Sequence, residues 1–254
     1  MSISRHTLLS TLDSWLKPGD FADYCPNGLQ VEGATELSKI VTGVTASQAL
    51  IDAAIEQGAD TLLVHHGYFW KGEDPTVVGM KQRRLRALLT HNINLIAYHL
   101  PLDAHAELGN NAVLGKALGL QQLAPVASQS PLGILYQGDS IEEQSLDNFA
   151  ERVSQAVQRD LVACVSGGTH NIKRVALCTG GGQGFIDAAC DAGADVFISG
   201  EISEQTVHVA RERGIHYIAA GHHATERFGI RALGEALAKE FALSVEFIDI
   251  DSPA

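Results

Sequence analysis

The feature that most constrains the fold is a passage the chain writes twice. Ile51-Asp52-Ala53-Ala54 followed by Gly58-Ala59-Asp60 is matched by Ile186-Asp187-Ala188-Ala189 followed by Gly193-Ala194-Asp195, and Gln48 and Gln183 fall in step at the same offset. Gly-Ala-Asp by itself is a common helix-to-strand connector. The shared register across two similarly ordered units favours a true repeat. In each copy a β-rich run precedes a helical stretch and an apolar run follows the Gly-Ala-Asp: Ile40–Val44 and Thr61–Val64 in the first, and in the second a run beginning near Lys173 and an apolar strand after Asp195. Strands 93–97 and 215–219 extend the match. Strand, helix, strand in that order predicts parallel sheets with right-handed crossovers, hence an α/β fold with internally repeated halves.

Around the repeat, Leu8, Leu9, Leu12, Trp15 and Leu16 give a helical period over 4–17, with Ser4 as N-cap. Pro26-Asn27-Gly28 reads as a turn into a short strand, Leu29–Val31. Helices are expected over about 79–90 and from Asn110 or Asn111 to Gly119. Residues 121–170 depart from the alternation: a strand at Gly133–Tyr136, a helix with Leu146, Phe149, Val153 and Val157 on one face, and a strand at Leu161–Val165. The expected division is 1–122 as a first α/β half, 123–170 as a short connecting segment, and 171–254 as a second half that ends in a strand from Leu243 to Ile250.

Composition narrows the function classes. The chain has 254 residues, 45% hydrophobic and 19% charged, with a formal net charge of −12. That balance suits a globular fold, and it repels phosphate backbones, so general nucleic-acid binding is not expected. No apolar run approaches the roughly 18 residues that a membrane span needs, and Asp13 and Lys17 interrupt the first amphipathic stretch, which argues against a signal peptide. The four cysteines show no CxxC spacing and read as buried thiols of a reducing, cytoplasmic environment.

The chemistry gathers where the strands end. In open α/β sheets, ligands collect beyond the carboxyl ends of strands. Thr61–Val64 runs into His65-His66-Gly67; the strand over 95–98 runs into His99-Leu100-Pro101-Leu102-Asp103; the strand over 217–220 runs into Gly221-His222-His223-Ala224-Thr225-Glu226. Adjacent side chains of a regular strand point to opposite faces, so His65 and His66 can share a site only where the strand has ended, and Gly67 permits that turn. If a helix begins near Ala224, Glu226 shares a face with either His222 or His223, and spacing alone leaves both open. A lone His-His pair is commonly a surface feature. Three patches at equivalent strand ends, two of them with carboxylates, point instead to divalent metal ions held by mixed nitrogen and oxygen ligands, with positions left for water.

Cys25-Pro26-Asn27-Gly28-Leu29-Gln30-Val31, His65-His66-Gly67, His99-Leu100-Pro101-Leu102-Asp103 and Gly221-His222-His223-Ala224-Thr225-Glu226 together resemble the signature segments of the dinuclear-metal GTP cyclohydrolase 1 type 2 homologs, also called Ngg-interacting-factor-three-like proteins. The resemblance spans nearly the whole chain. It implies two interlinked α/β domains assembled as a toroidal homohexamer, with two divalent ions per subunit (Zn, Fe, Mn or Mg) on His65, His66, Asp103, His222 and Glu226, and so selects His222 over His223. Some relatives carry a domain inserted between the halves, where this chain has only the short segment 121–170.

Two further features bear on a substrate. Thr179-Gly180-Gly181-Gly182-Gln183-Gly184 follows a strand and opens a helix, where backbone N–H groups of Gly181 and Gly182 can approach an anion. A tight packing turn is the stronger reading, and the spacing is not that of a dinucleotide fingerprint. Trp70 and Lys71, in the aromatic run after the histidines, can stack and hold a nucleobase or equally anchor a subunit interface. The expected function is a dinuclear metal-dependent hydrolase of a nucleotide or related heterocycle, with GTP cyclohydrolase-type ring opening as one form and His99 and Glu226 moving protons. The alternative is a non-catalytic metal-binding scaffold or regulator.

Overall fold

The computed structural model describes residues 2–254, and the chain divides into two compact units. The first holds the residues up to Leu102 and Ile230–Asp251; the second holds Asp103–Gly229 and Ser252–Ala254.

The first unit opens with β1 (Ile3–Ser4) and α1 (Arg5–Leu16), followed by β2 (Gly28–Val31), β3 (Glu36–Leu37) and β4 (Lys39–Thr45). The Ser4 side chain accepts from the Thr7 backbone N–H and caps α1, and Leu8, Leu12 and Leu16 form its buried face. Then come α2 (Gln48–Glu56), β5 (Thr61–His66), α3 (Gly79–Thr90) and β6 (Asn94–Ala97). The one-turn helix α4 (Leu100–Asp103) carries the chain out of this unit. Residues that close the unit come from much later in the sequence: the C-terminal part of α9 (His222–Phe241) and β13 (Ser244–Phe247).

The sheet order is β13-β4-β5-β6-β2, parallel throughout except for β2, which runs against β6. Strands covered on both faces should be apolar almost without interruption. Ile40–Val44 of β4 and Thr61–His65 of β5 are buried without a break. One face packs Val41, Leu62, Val64 and Leu95 against Leu50, Ile51 and Ala54 of α2 and Leu85 and Leu88 of α3.

The second unit begins with α5 (Asn110–Ala117), β7 (Gln121–Pro125), β8 (Tyr136–Gln144), α6 (Leu146–Val157) and β9 (Ala163–Val165). It continues with β10 (Ile172–Cys178), α7 (Ile186–Asp191), β11 (Val196–Ser199), α8 (Glu204–Arg213), β12 (His216–Ala219) and the start of α9. Its sheet order is β7-β8-β10-β11-β12-β9, with β10, β11 and β12 parallel and β7, β8 and β9 antiparallel to their neighbours. Phe149, Val153 and Val157 of α6 are fully buried with Val175, Leu177, Val196 and Ile198 of the sheet, each burial worth about 1.5–3 kcal/mol against exposure.

Two expectations need correction. The division expected at 122/123 falls at 102/103, and 123–170 is no connector: β7, β8 and β9 are strands of the second unit's own sheet. The strand expected at Gly133–Tyr136 begins only at Tyr136 and runs on to Gln144. Gly133 takes a φ of +95°, outside strand geometry, and a side chain there would strike the Ala104 carbonyl.

The internal repeat is present in three dimensions. Ile40 pairs with Thr61, and the residues 135 positions later, Val175 and Val196, pair in the same way; Thr61 then pairs with Asn94 as Val196 pairs with His216. Gly58 and Gly193 end their helices with φ of +66° and +75°. The aspartate that follows is a brace. Asp60 Oδ2 accepts the backbone N–H groups of Ser38 and Lys39, and Asp195 Oδ2 accepts those of Lys173 and Arg174.

Candidate metal centre

In the first unit, β5 and β6 run side by side, with Val64 paired to Ala97. His65 and His66 are the last two residues of β5, not residues beyond its end as expected, and they lie with His99 so that the donor atoms of all three are within 4.8 Å of one another. His65 is fully buried, and its Nδ1–H donates to the Tyr98 carbonyl at 3.0 Å. That bond fixes the tautomer and leaves the ring's basic lone pair on Nε2. His66 Nδ1 meets the Thr45 hydroxyl at 3.2 Å. His99 Nδ1 lies 2.7 Å from Asp23 Oδ1. Metal-binding histidines characteristically have the second ring nitrogen held in this way.

Asp23 was not foreseen from the sequence, nor was the role of the segment it opens. Its carboxylate accepts from Tyr24 N–H, His99 Nδ1, Asn27 Nδ2 and Leu100 N–H. Burial alone would raise its pKa; hydrogen bonds from His99 and Asn27 and the charge His99 can carry outweigh that and hold it down to about 2. Asn27 Oδ1 accepts His99 N–H at 2.8 Å, and Gln30 Oε1 accepts Tyr68 N–H at 2.7 Å. The Cys25–Val31 segment thus grips both histidine-bearing loops. Gly67 fits closely there, since a Cβ would come within 2.8 Å of Ala97 Cβ as well as 2.1 Å of Gln30 Oε1.

Trp70 stands at 84° to the His99 ring, 5.1 Å between centroids, and its Nε1–H donates to the Gly67 carbonyl. Lys71 is exposed and tied by its backbone N–H to the Tyr24 carbonyl. Cys25 is buried, its thiol pushed up to about 12 by burial and then by the Asp23 charge.

In the second unit, Asp103 and Glu226 are buried carboxylates with oxygen atoms within 4.8 Å of each other. Asn110 Nδ2 donates to Asp103 Oδ1 at 2.8 Å, while its Oδ1 accepts Gly229 N–H at 2.7 Å. α9 begins at His222, one residue pair earlier than expected, so His222 and Glu226 are separated by one turn and Nε2 lies 3.1 Å from Oε2. This geometry pairs Glu226 with His222, which spacing alone had not decided. Glu201, also missed in the sequence, takes His222 Nδ1 at 2.7 Å. Burial would lower the His222 pKa, but hydrogen bonds and negative charge from Glu226 and Glu201 raise it to about 9.

Gly180 has a φ of +64°, and a Cβ on it would sit 2.0 Å from Glu226 Oε1, so this turn must be glycine for Glu226 to take its place. Gly181 is exposed and Gly182 buried, the latter packed where a Cβ would meet Cys178 Sγ. Burial raises the Cys178 thiol far above its usual range, reinforced by Asp103 and Glu226. His105 uses Nδ1 to accept the Glu107 and Leu108 N–H groups, a turn-capping role.

Two buried carboxylates so close together call for positive charge. A divalent ion suits that demand, with lone pairs on imidazole nitrogens whose opposite nitrogens are already held. The donor set of each unit therefore fits a borderline divalent metal.

The model for Duf34/NIF3 (NGG1p interacting factor 3) matches residues 3–253. The chain belongs to the NIF3 family. Within it, a Haemophilus influenzae protein is 56% identical over 232 residues, covering 91% of this chain and 92% of the relative. A Pseudomonas aeruginosa protein is 53% identical over 254 residues, the whole of both chains. Both carry the name GTP cyclohydrolase 1 type 2 homolog. Among solved NIF3-like structures, protein ybgI superposes with a TM-score of 0.94 at 49% identity, covering 99% of this chain and 100% of its own. TTHA1606 from Thermus thermophilus does so with a TM-score of 0.91 at 37% identity, covering 99% and 100%. No helix among the described residues is long and apolar enough to cross a membrane.

Proposed function

We propose that this NIF3 chain is a dinuclear metal-dependent hydrolase of a nucleotide or related heterocycle, its two divalent ions held by His65, His66, Asp103, His222 and Glu226. The observation that carries the reading is the buried pair Asp103 and Glu226, within 4.8 Å of each other, an arrangement that suits cations and offers two charges to hold them. When bound, Zn, Fe, Mn or Mg would act as a Lewis acid and make water acidic enough to supply a nucleophile near neutral pH.

The protein's own residues do the rest. His65 and His222 present Nε2 because Tyr98 and Glu201 hold Nδ1. His99 accepts and returns a proton, and Glu226, buried against the Gly180 turn, serves as ligand and second proton carrier. Trp70 supplies a flat apolar face beside His99 for a planar substrate, Lys71 a cation for its acidic groups, and the Gly181–Gly182 turn backbone N–H groups. The names of the curated relatives suggest GTP cyclohydrolase-type ring opening as the specific reaction. A toroidal homohexamer in the cytoplasm, with the sites facing an inner cavity, completes the proposal.

The test compares turnover by the metal-loaded protein with that of His66→Ala and Glu226→Gln on a panel of nucleotides and esters. Each variant is expected to lose about 100-fold or more in kcat. If both turn over an active substrate as fast as the parent, the metal mechanism is wrong. No turnover of anything, together with loss of assembly on chelation, would favour a metal-stabilised scaffold.

A further inference from the structure

We propose that Asp23 is the positioning residue of His99, fixing it as the Nδ1–H tautomer so that Nε2 serves as the basic nitrogen in the histidine cluster of the first unit. This rests on the hydrolase reading for its use, but not for its geometry.

Three observations support it. First, His99 Nδ1 and Asp23 Oδ1 are 2.7 Å apart, and both oxygens of Asp23 already act as acceptors, Oδ1 for Tyr24 N–H and Oδ2 for Asn27 Nδ2 and Leu100 N–H, so the shared proton resides on His99 Nδ1. Second, Asp23 cannot swing away to do something else. Its two oxygens together accept four hydrogen bonds, and its side chain is 3% exposed. A carboxylate so fully satisfied has little left to offer a metal ion, although Asp23, Cys25 and His99 have donor atoms close enough to suggest a site. Third, the His99 backbone is gripped as well, through Asn27 Oδ1 on its N–H, and Asn27 is itself bonded to Asp23. His99 therefore has both its main chain and its outer ring nitrogen fixed by one loop. Its ring centroid stands 5.1 Å from that of His65 and 5.5 Å from that of His66.

An imidazole held in this manner has the arrangement of a general base: one nitrogen oriented by a buried carboxylate, the other basic. The Asp23–Asn27 pair thus gives the Cys25–Val31 signature a chemical purpose beyond its turn.

The experiment records long-range 1H–15N spectra of histidine side chains in the zinc-loaded protein, with His99 assigned by comparison with His99→Gln. Zinc content is measured alongside, in the parent, Asp23→Asn and Asp23→Glu. The parent should show His99 as the Nδ1–H tautomer. Asp23→Asn should mix the tautomers, keep its zinc, and lower kcat about 100-fold with little change in KM; Asp23→Glu should restore part of both. An Nε2–H tautomer in the parent overturns the proposal without any variant having to fold. So does an unchanged His99 signal in Asp23→Asn, or loss of zinc from it, which would make His99 a ligand. A parent that turns over nothing defeats the hydrolase reading and leaves the tautomer assignment to be judged by its own spectrum.

Discussion

The two copies of the strand–helix–strand repeat share a register, a glycine helix stop and an aspartate brace, yet they differ where the strands end. In the first unit, β5 ends in two histidines, and the loops beyond β5 and β6 are held by side chains from a distant segment, Asp23–Gln30. In the second, the corresponding positions are Gly200 and Glu201, and the carboxylates and His222 sit around a glycine turn. The scaffold was kept and the chemistry at its tips was changed. One unit offers mainly imidazole and the other mainly carboxylate.

The sharpest way to break this contrast is at the glycine turn, which has no equivalent in the first unit. Gly180→Ala forces a Cβ against Glu226, and should lower zinc affinity ~100-fold, as displaced metal environments do. Gly184→Ala, where a Cβ meets nothing within 4 Å, should leave affinity within ~2-fold. Competition with a chromogenic chelator measures both, and equal effects would show that close approach at Gly180 is not what places Glu226.

Next come the two braces. Asp60→Ala and Asp195→Ala each strip a carboxylate from two backbone N–H groups, costing roughly 2–3 kcal/mol apiece. Asp60 also takes the Ser38 hydroxyl and should cost the more. Urea unfolding midpoints read this. If only one variant is destabilised, the repeat is a likeness of sequence without a shared mechanical role.

A pH experiment separates the units further. Asp23 in the first unit has a folded pKa lowered from 3.8 to about 2, so its contribution is fully present above pH ~4 and is lost as pH falls through about 2. The loss should be on the order of 2 kcal/mol, and Asp23→Asn should flatten the stability profile between pH 4 and 2. A parent profile already flat there would mean that the carboxylate is not held as described.

The smallest effect concerns the second helix of each repeat. α8 begins with a capping box of Ser203 and Thr206, whereas Val78 precedes α3 with no side-chain cap. Ser203→Ala should cost about 1 kcal/mol and Val78→Ser should stabilise by a few tenths to ~1 kcal/mol, again by denaturation midpoint.

What could be read from the sequence followed from local periodicity. The α3 span, the Ser4 cap, the Gly-Ala-Asp register and the histidines at strand ends are all encoded within a few residues of where they act. His222 and Glu226 share a face because one helical turn separates them. The partners that hold the rings were hidden, since Asp23 meets His99 across 76 positions and Glu201 meets His222 across 21, and nothing local marks either acid. The unit boundary was missed for a related reason. The alternating pattern says which strands exist but not that antiparallel β7, β8 and β9 would join β10–β12, or that β13 would return to β4.

That return sets a timetable. β4 can form its β5 pairing as soon as the first hundred or so residues are made, but its other edge is covered only by β13, drawn from Ser244–Phe247. A ribosome releasing this chain therefore exposes a partly built sheet with one raw edge throughout the making of the second unit, at the stage when strand edges are most prone to wrong pairing. Truncation before Ser244 would make that passing vulnerability permanent.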